Sequence, residues 1–115
     1  MSVDSILAAK SKAFAIRVIK LYKVLREDRN EHIMSKQFIR SGTSIGANVR
    51  EAIFAQSKAD FVSKLNIALK EAGETAYWLE LLSETNYLKK MEADSMIRDC
   101  EEVLKLLTST IKHSR

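Results

Sequence analysis

Apolar residues recur every three or four positions along most of this chain, the spacing of one buried helix face. In the first segment, from about Val3 to Arg26, Phe14, Val18, Leu21 and Leu25 share a face. Ile6, Leu7 and Val24 lie nearby, and Ser2 or Asp4 is placed to cap the start. EDRNEH, residues 27–32, is a polar break. A second segment opens near Ser35, read as its N-cap, with Met34 and Ile39 as a hydrophobic staple. Phe38, Ile45, Val49, Ala52 and Ile53 form its apolar face. Ser57 followed by Asp60 reads as a capping box for a third segment, on which Phe61, Leu65, Ala68, Leu69, Ala72, Ala76 and Leu79 align. Asn86 is a left-handed stop. The fourth segment, about Lys90 to Lys112, puts Ile97, Cys100, Val103, Leu104, Leu107 and Ile111 on one side. Its other side offers Asp94–Arg98 and Glu101–Lys105 as i,i+4 pairs.

Four such helices joined by short links predict an all-α fold, an antiparallel up-down-up-down four-helix bundle, with residues 1–115 as a single domain. Composition agrees. Proline is absent and glycine occurs three times, where average usage is about 5% and 7%, so turn-rich β architectures are disfavoured.

RSGTSIGANVREA, residues 40–52, interrupts the pattern with two glycines, three hydroxyl residues and an asparagine. A phosphate-binding loop would need a preceding strand. None is predicted, and Phe38, Ile39, Ile45, Val49 and Ile53 keep the helical phase through the stretch. Gly42 and Gly46 are therefore read as helical positions facing inward, leaving room for a neighbour. Ser41, Ser44, Asn48, Glu51 and Ala55 form a ledge beside them, expected to pin one helix against another.

Charge is uneven. Net charge is +4, and residues 1–40 hold nine Lys/Arg against four Asp/Glu, a balance of +5. Lys12, Lys20 and Lys23 flank Ile16 on one face of the first helix, while Lys10 and Arg17 share another edge. The face is either simply solvated or a sequence-tolerant phosphate-binding surface. Lys12, Lys20, Lys23 and Arg40 are the nucleic-acid-binding candidates, with Lys36 and Arg50 next. On the third helix Ile67, Glu71, Glu74, Trp78 and Leu81 make a continuous stripe flanked by Tyr77, and Phe54 on the second helix also points outward. These seven are the oligomer-interface candidates; the alternative is a wide core that swallows Trp78. Glu71 and Glu74 would need cationic partners if buried, and Arg40 and Arg50 are available.

No catalytic residues, cofactor-binding residues or metal ligands are predicted. One cysteine, Cys100, and two separated histidines, His32 and His113, form no metal pattern. No nucleophile, base and charge stabiliser converge, so the reading is a non-enzyme. No apolar run reaches the ~20 residues of a membrane span and no signal peptide opens the chain, so the expected location is cytoplasmic.

Ser44-Ile45-Gly46-Ala47-Asn48-Val49-Arg50-Glu51-Ala52 resembles the serine-isoleucine-proline-x-asparagine-isoleucine-x-glutamate-glycine segment of bacterial four-helix-bundle proteins. These include the proteins encoded in 23S rRNA intervening sequences; the accessory variability determinant of diversity-generating retroelements is related. The likeness extends through Gln37 and Arg40 upstream. Downstream it takes in Ser57, Asp60-Phe61, Ile67-Ala68, Glu74, Leu79 and Asn86-Tyr87-Leu88. Gly46 stands where the segment has proline, and Ala52 where it has glycine. The resemblance implies a bundle that assembles as a ring, a homopentamer, without catalytic residues. It also implies RNA or DNA binding through a basic surface, and, for the retroelement relatives, a reverse transcriptase partner. A purely structural or protein-interaction ring is the alternative.

Overall fold

The computed structural model describes residues 2–114. It contains α1 (Ser5–Glu27), α2 (Met34–Ile53), α3 (Lys58–Glu84) and α4 (Lys90–His113), an all-α four-helix bundle measuring 43 × 20 × 19 Å. Side-chain pairs give the directions. Residues 10 and 17 of α1 meet 102 and 99 of α4, and residues 40 and 51 of α2 meet 74 and 64 of α3. Gly42 and Gly46 of α2 face Val18 and Ser11 of α1. Each of these pairs is antiparallel, which makes α3 and α4 antiparallel as well.

The core is built from the predicted faces: Phe14, Phe38, Phe61, Leu65, Leu79 and Leu107 are almost wholly buried. Two expectations need correction. Ile53 is 46% exposed and Ile6 54% exposed, because each lies at a helix end on the edge of its apolar arc. Leu69, Ala76, Ile97 and Leu104 only lean against the core from its margins.

The helix ends are set by local chemistry. Asp4 caps α1 by accepting from Ile6 N at 2.8 Å, and Ser57 caps α3 by accepting from Asp60 N at 3.0 Å. Asp60 accepts from Gln56 N rather than from Ser57 N, so the capping box is displaced by one residue. Asn86 takes φ 69°, and the amides of Asn86 and Tyr87 close back on Ser83 O and Leu82 O, the Schellman stop. Asn30 does similar work after α1 with φ 55°.

Ser35 is not the cap of α2. It lies inside the helix, and its hydroxyl donates to Glu31 O at 2.8 Å. The cap is the Glu31 side chain: Oε1 accepts from Ile33 N and Met34 N, and Oε2 from Ser35 N at 2.6 Å. Glu31 is 5% exposed. Burial pushes its carboxyl upward, but the three amides outweigh burial and hold it below the usual carboxylate range. At the same end of the bundle, Arg29 forms a two-pronged pair with Glu92 and donates to Tyr87 O at 2.8 Å. That contact ties the α1–α2 connection to the α3–α4 corner.

Candidate functional site

The basic residues divide into two groups. Lys10 pairs with Glu102 at 2.6 Å and Arg17 with Asp99 at 2.5 Å, forming a seam between α1 and α4. Arg29 is held by Glu92. Asp99 and Glu102 of α4 therefore serve α1, and the expected Asp94–Arg98 and Glu101–Lys105 pairs do not form among the described residues; Asp94 meets Lys90 instead, at 3.1 Å. Lys12, Lys20, Lys23, Lys36 and Arg50 are exposed and have no ion pair among the described residues. Between Lys12 and the other two α1 lysines stand Ile16 and Ile19, 45% and 38% exposed.

Arg40 belongs to the first group. Its guanidinium donates to Glu71 at 2.9 Å and also to Glu74, which in turn accepts from Trp78 Nε1 at 2.9 Å. The indole N–H and Arg40 together hold the Glu74 carboxyl below its ordinary range. Arg40 is thus engaged by two carboxylates within its own chain, which makes it a weaker phosphate ligand than the α1 lysines. Arg50, the other predicted partner of Glu71 and Glu74, does not reach them.

The α3 stripe is less uniform than its spacing suggests. Trp78 is half-buried and packs on the core margin, and Leu81 is also half-buried. Tyr77, Ile67 and Phe54 are the outward members, 52%, 41% and 76% exposed. The outer edge of α3 is therefore Ile67, Gly73 and Tyr77, with Glu80 and Glu84 exposed beyond them.

The ledge joins α2 to α3 at two points. Thr75 Oγ1 donates to the buried Ser41 hydroxyl at 2.8 Å, and Lys64 meets Glu51 at 3.3 Å. Among the described residues Asn48 donates only to Ser44 O, one turn back on its own helix.

On the other side of α2, the glycines divide as well. A Cβ on Gly42 would stand 2.7 Å from Val18 Cγ1, so α1 occupies that space. At Gly46 a Cβ would meet Ser11 O at 3.4 Å, the near limit of ordinary contact, and at Gly73 it would meet nothing within 4 Å among the described residues. A glycine inside a helix costs about 1 kcal/mol relative to alanine; packing within the chain explains that cost at Gly42 alone. Beside Gly46 an open groove of about 290 Å³ runs between α1 and α2. Ala8, Ala15, Val49 and Ile53 line it, and Lys12 and Arg50 stand on its borders.

His32 and His113 are exposed, with bonds to Asn30 and to Ser109 O nearby. The Cys100 thiol donates to Ala72 O, and burial, helped by Glu101, pushes it up to about 12, which leaves it unreactive. No group of three His, Cys, Asp or Glu among the described residues could hold a metal ion. No described helix is long and apolar enough to cross a membrane.

The family described as 23S rRNA-intervening sequence protein matches residues 4–109. The chain belongs to that family. A crystal structure of a protein of unknown function from the S23 ribosomal protein family of Bacteroides thetaiotaomicron is similar, at 56% identity and a TM-score of 0.92. The match covers 93% of this chain and 96% of that one. No curated protein matches. Neither the description of this intervening-sequence family nor that of the crystal structure names an enzymatic activity.

Proposed function

We propose that this protein is a non-catalytic, self-associating bundle, five copies to a ring, that binds nucleic acid through the lysine face of α1. The observation that carries the reading is the division of the cations. Carboxylates neutralise Lys10, Arg17, Arg29 and Arg40, while Lys12, Lys20 and Lys23 stand exposed without a described ion pair. Repeated around a ring, a modest patch becomes a sizeable positive field. The family's description refers to an intervening sequence of 23S rRNA, so structured RNA is the first ligand to try. The exposed Tyr77 and Ile67 support a second reading, a ring that recruits a protein such as a reverse transcriptase and leaves its lysines to the solvent.

Salt titration separates the two. Anisotropy with RNA and DNA of unrelated sequence should show affinity falling with salt, at a log–log slope of roughly −0.7 to −0.9 per phosphate neutralised. Lys20→Gln with Lys23→Gln should weaken binding about equally for every sequence and flatten the slope by roughly two contacts. Absence of binding by the wild-type protein at about 50 mM salt would leave the protein-recruiting ring.

A further inference from the structure

A ring of more than two identical subunits closes only when two different surfaces of each subunit meet. A self-associating ring of this chain therefore needs a donor surface and an acceptor surface, and the contact between them rests on the ring reading. We propose that the groove between α1 and α2 receives the Tyr77 edge of α3 from a second copy of this chain.

The groove has the chemistry of an acceptor. Ala8, Ala15, Val49 and the exposed Ile53 give it an apolar floor, and Lys12 and Arg50 give it a cationic border, so that in the ring Lys12 serves the contact and Lys20 and Lys23 are left to phosphate. An apolar floor is a poor bed for a phosphodiester and a good one for an aromatic ring, with the border cations placed to sit over the ring face. The outer edge of α3 has the matching chemistry: Tyr77 is 52% exposed, Ile67 lies nearby, and the exposed Glu80 and Glu84 outweigh the one exposed cation there, Lys70.

Charge also disfavours the symmetric alternatives. Groove against groove would set Lys12 and Arg50 against their own copies, and edge against edge would do the same to the glutamates. Groove against edge pairs opposite signs.

The two unexplained glycines fall one on each surface. Gly46 lines the groove, and Gly73 lies one turn before Tyr77 on the outer edge. Among the described residues a Cβ on Gly46 would meet ordinary contact at 3.4 Å and one on Gly73 nothing within 4 Å, and each glycine lets an approaching neighbour come closer than a side chain would allow.

Paired cysteines test the contact. Cys100 is fully buried and gives little background. Ala47→Cys marks the groove rim and Lys70→Cys the α3 edge, both at exposed positions. With a short bifunctional maleimide, the double variant should give a ladder of species beyond dimer on a denaturing gel, and each single variant should stay a monomer there. Dimers from either single variant would show like surfaces meeting and overturn the proposal. An assembled double variant that yields no ladder would overturn it while leaving self-association standing. A wild-type monomer by light scattering would remove the ring itself, and this contact with it. Gly73→Leu gives an independent check: it meets no described neighbour in the subunit, so the helical signal should persist while the particle mass falls to that of one chain. An unchanged mass would place the contact elsewhere.

Discussion

Val18 fills the space that a side chain on Gly42 would need: a Cβ built there lies 2.7 Å from Val18 Cγ1 and 2.8 Å from Cγ2. Both atoms belong to a short β-branched side chain with one preferred rotamer in a helix, so Val18 cannot swing aside. Gly42→Ala should therefore destabilise the bundle. Overpacking costs typically 1–3 kcal/mol, against about 1 kcal/mol that alanine regains in helix propensity. Trimming the neighbour should reverse the sign: in the Val18→Ala background, Gly42→Ala should be neutral or stabilising. Urea unfolding of the four-member cycle measures this, and additivity would mean that the two helices are not in contact there.

The ledge makes a second prediction. Thr75 Oγ1 lies 2.8 Å from Ser41 Oγ and 2.7 Å from Glu71 O, and Ser41 also donates to Phe38 O. Each hydroxyl therefore keeps a backbone partner if the other is removed. Thr75→Val should cost about 1 kcal/mol, and Ser41→Ala a similar amount. The double variant should cost little more than either single one, because each single change already removes the one bond that the two hydroxyls share. A double cost equal to the sum would show that the two hydroxyls act independently.

Much of this architecture is legible in residue spacing and in single-residue chemistry. The buried faces follow the 3.6 period, and Ser57 and Asn86 announce helix ends because their side chains or backbones act on neighbours one turn away. What a periodicity does not show is which helix lies beside which. The carboxylates Asp99 and Glu102 look like partners for their own helix until α1 is placed against them. Glu31 is hard to read as a cap because a serine four residues on offers a simpler one, and a glutamate reaching three amides depends on the turn at Asn30. At the candidate site, the need of Glu71 and Glu74 for a cation is readable from spacing; that the same Arg40 satisfies both, and so is drawn away from phosphate, is a matter of geometry.

Tyr77 and Trp78 should separate assembly from folding. Their rings are 5.4 Å apart, yet they face different surroundings: Trp78 leans on the core and bonds Glu74, while Tyr77 points outward. Trp78→Ala should lower the unfolding free energy by on the order of 2–3 kcal/mol, less than the 3–5 of a fully buried aromatic. Tyr77→Glu should leave the far-ultraviolet helical signal intact and reduce the particle mass seen by light scattering. Loss of helix in Tyr77→Glu, or an unchanged mass, would remove Tyr77 from the contact surface.

Glu31 gives the bundle an acid-sensitive joint. Its carboxyl is held below the ordinary range in the folded chain and returns to about 4.3 when unfolded. Between those two values the unfolded state binds the extra proton, so stability rises with pH. The contribution is fully present above about 4.3 and is lost as pH falls through the folded value. Glu74 and Glu92 are shifted in the same direction, so the slope of the wild-type protein alone does not identify Glu31. The difference between wild type and Glu31→Gln does. Removing the charge should cost about 1–2 kcal/mol near neutral pH, the range of a lost helix cap, and the gap should close as the solution is acidified below about pH 4. Ser35→Ala supplies the contrast: its hydroxyl donates to Glu31 O and only adds to what the three amides do in holding the carboxyl low, so its cost should change with pH much less than that of Glu31→Gln. A gap for Glu31→Gln that is equally flat would mean that α2 is capped by geometry alone, and that the carboxylate's charge contributes nothing to holding the first turn.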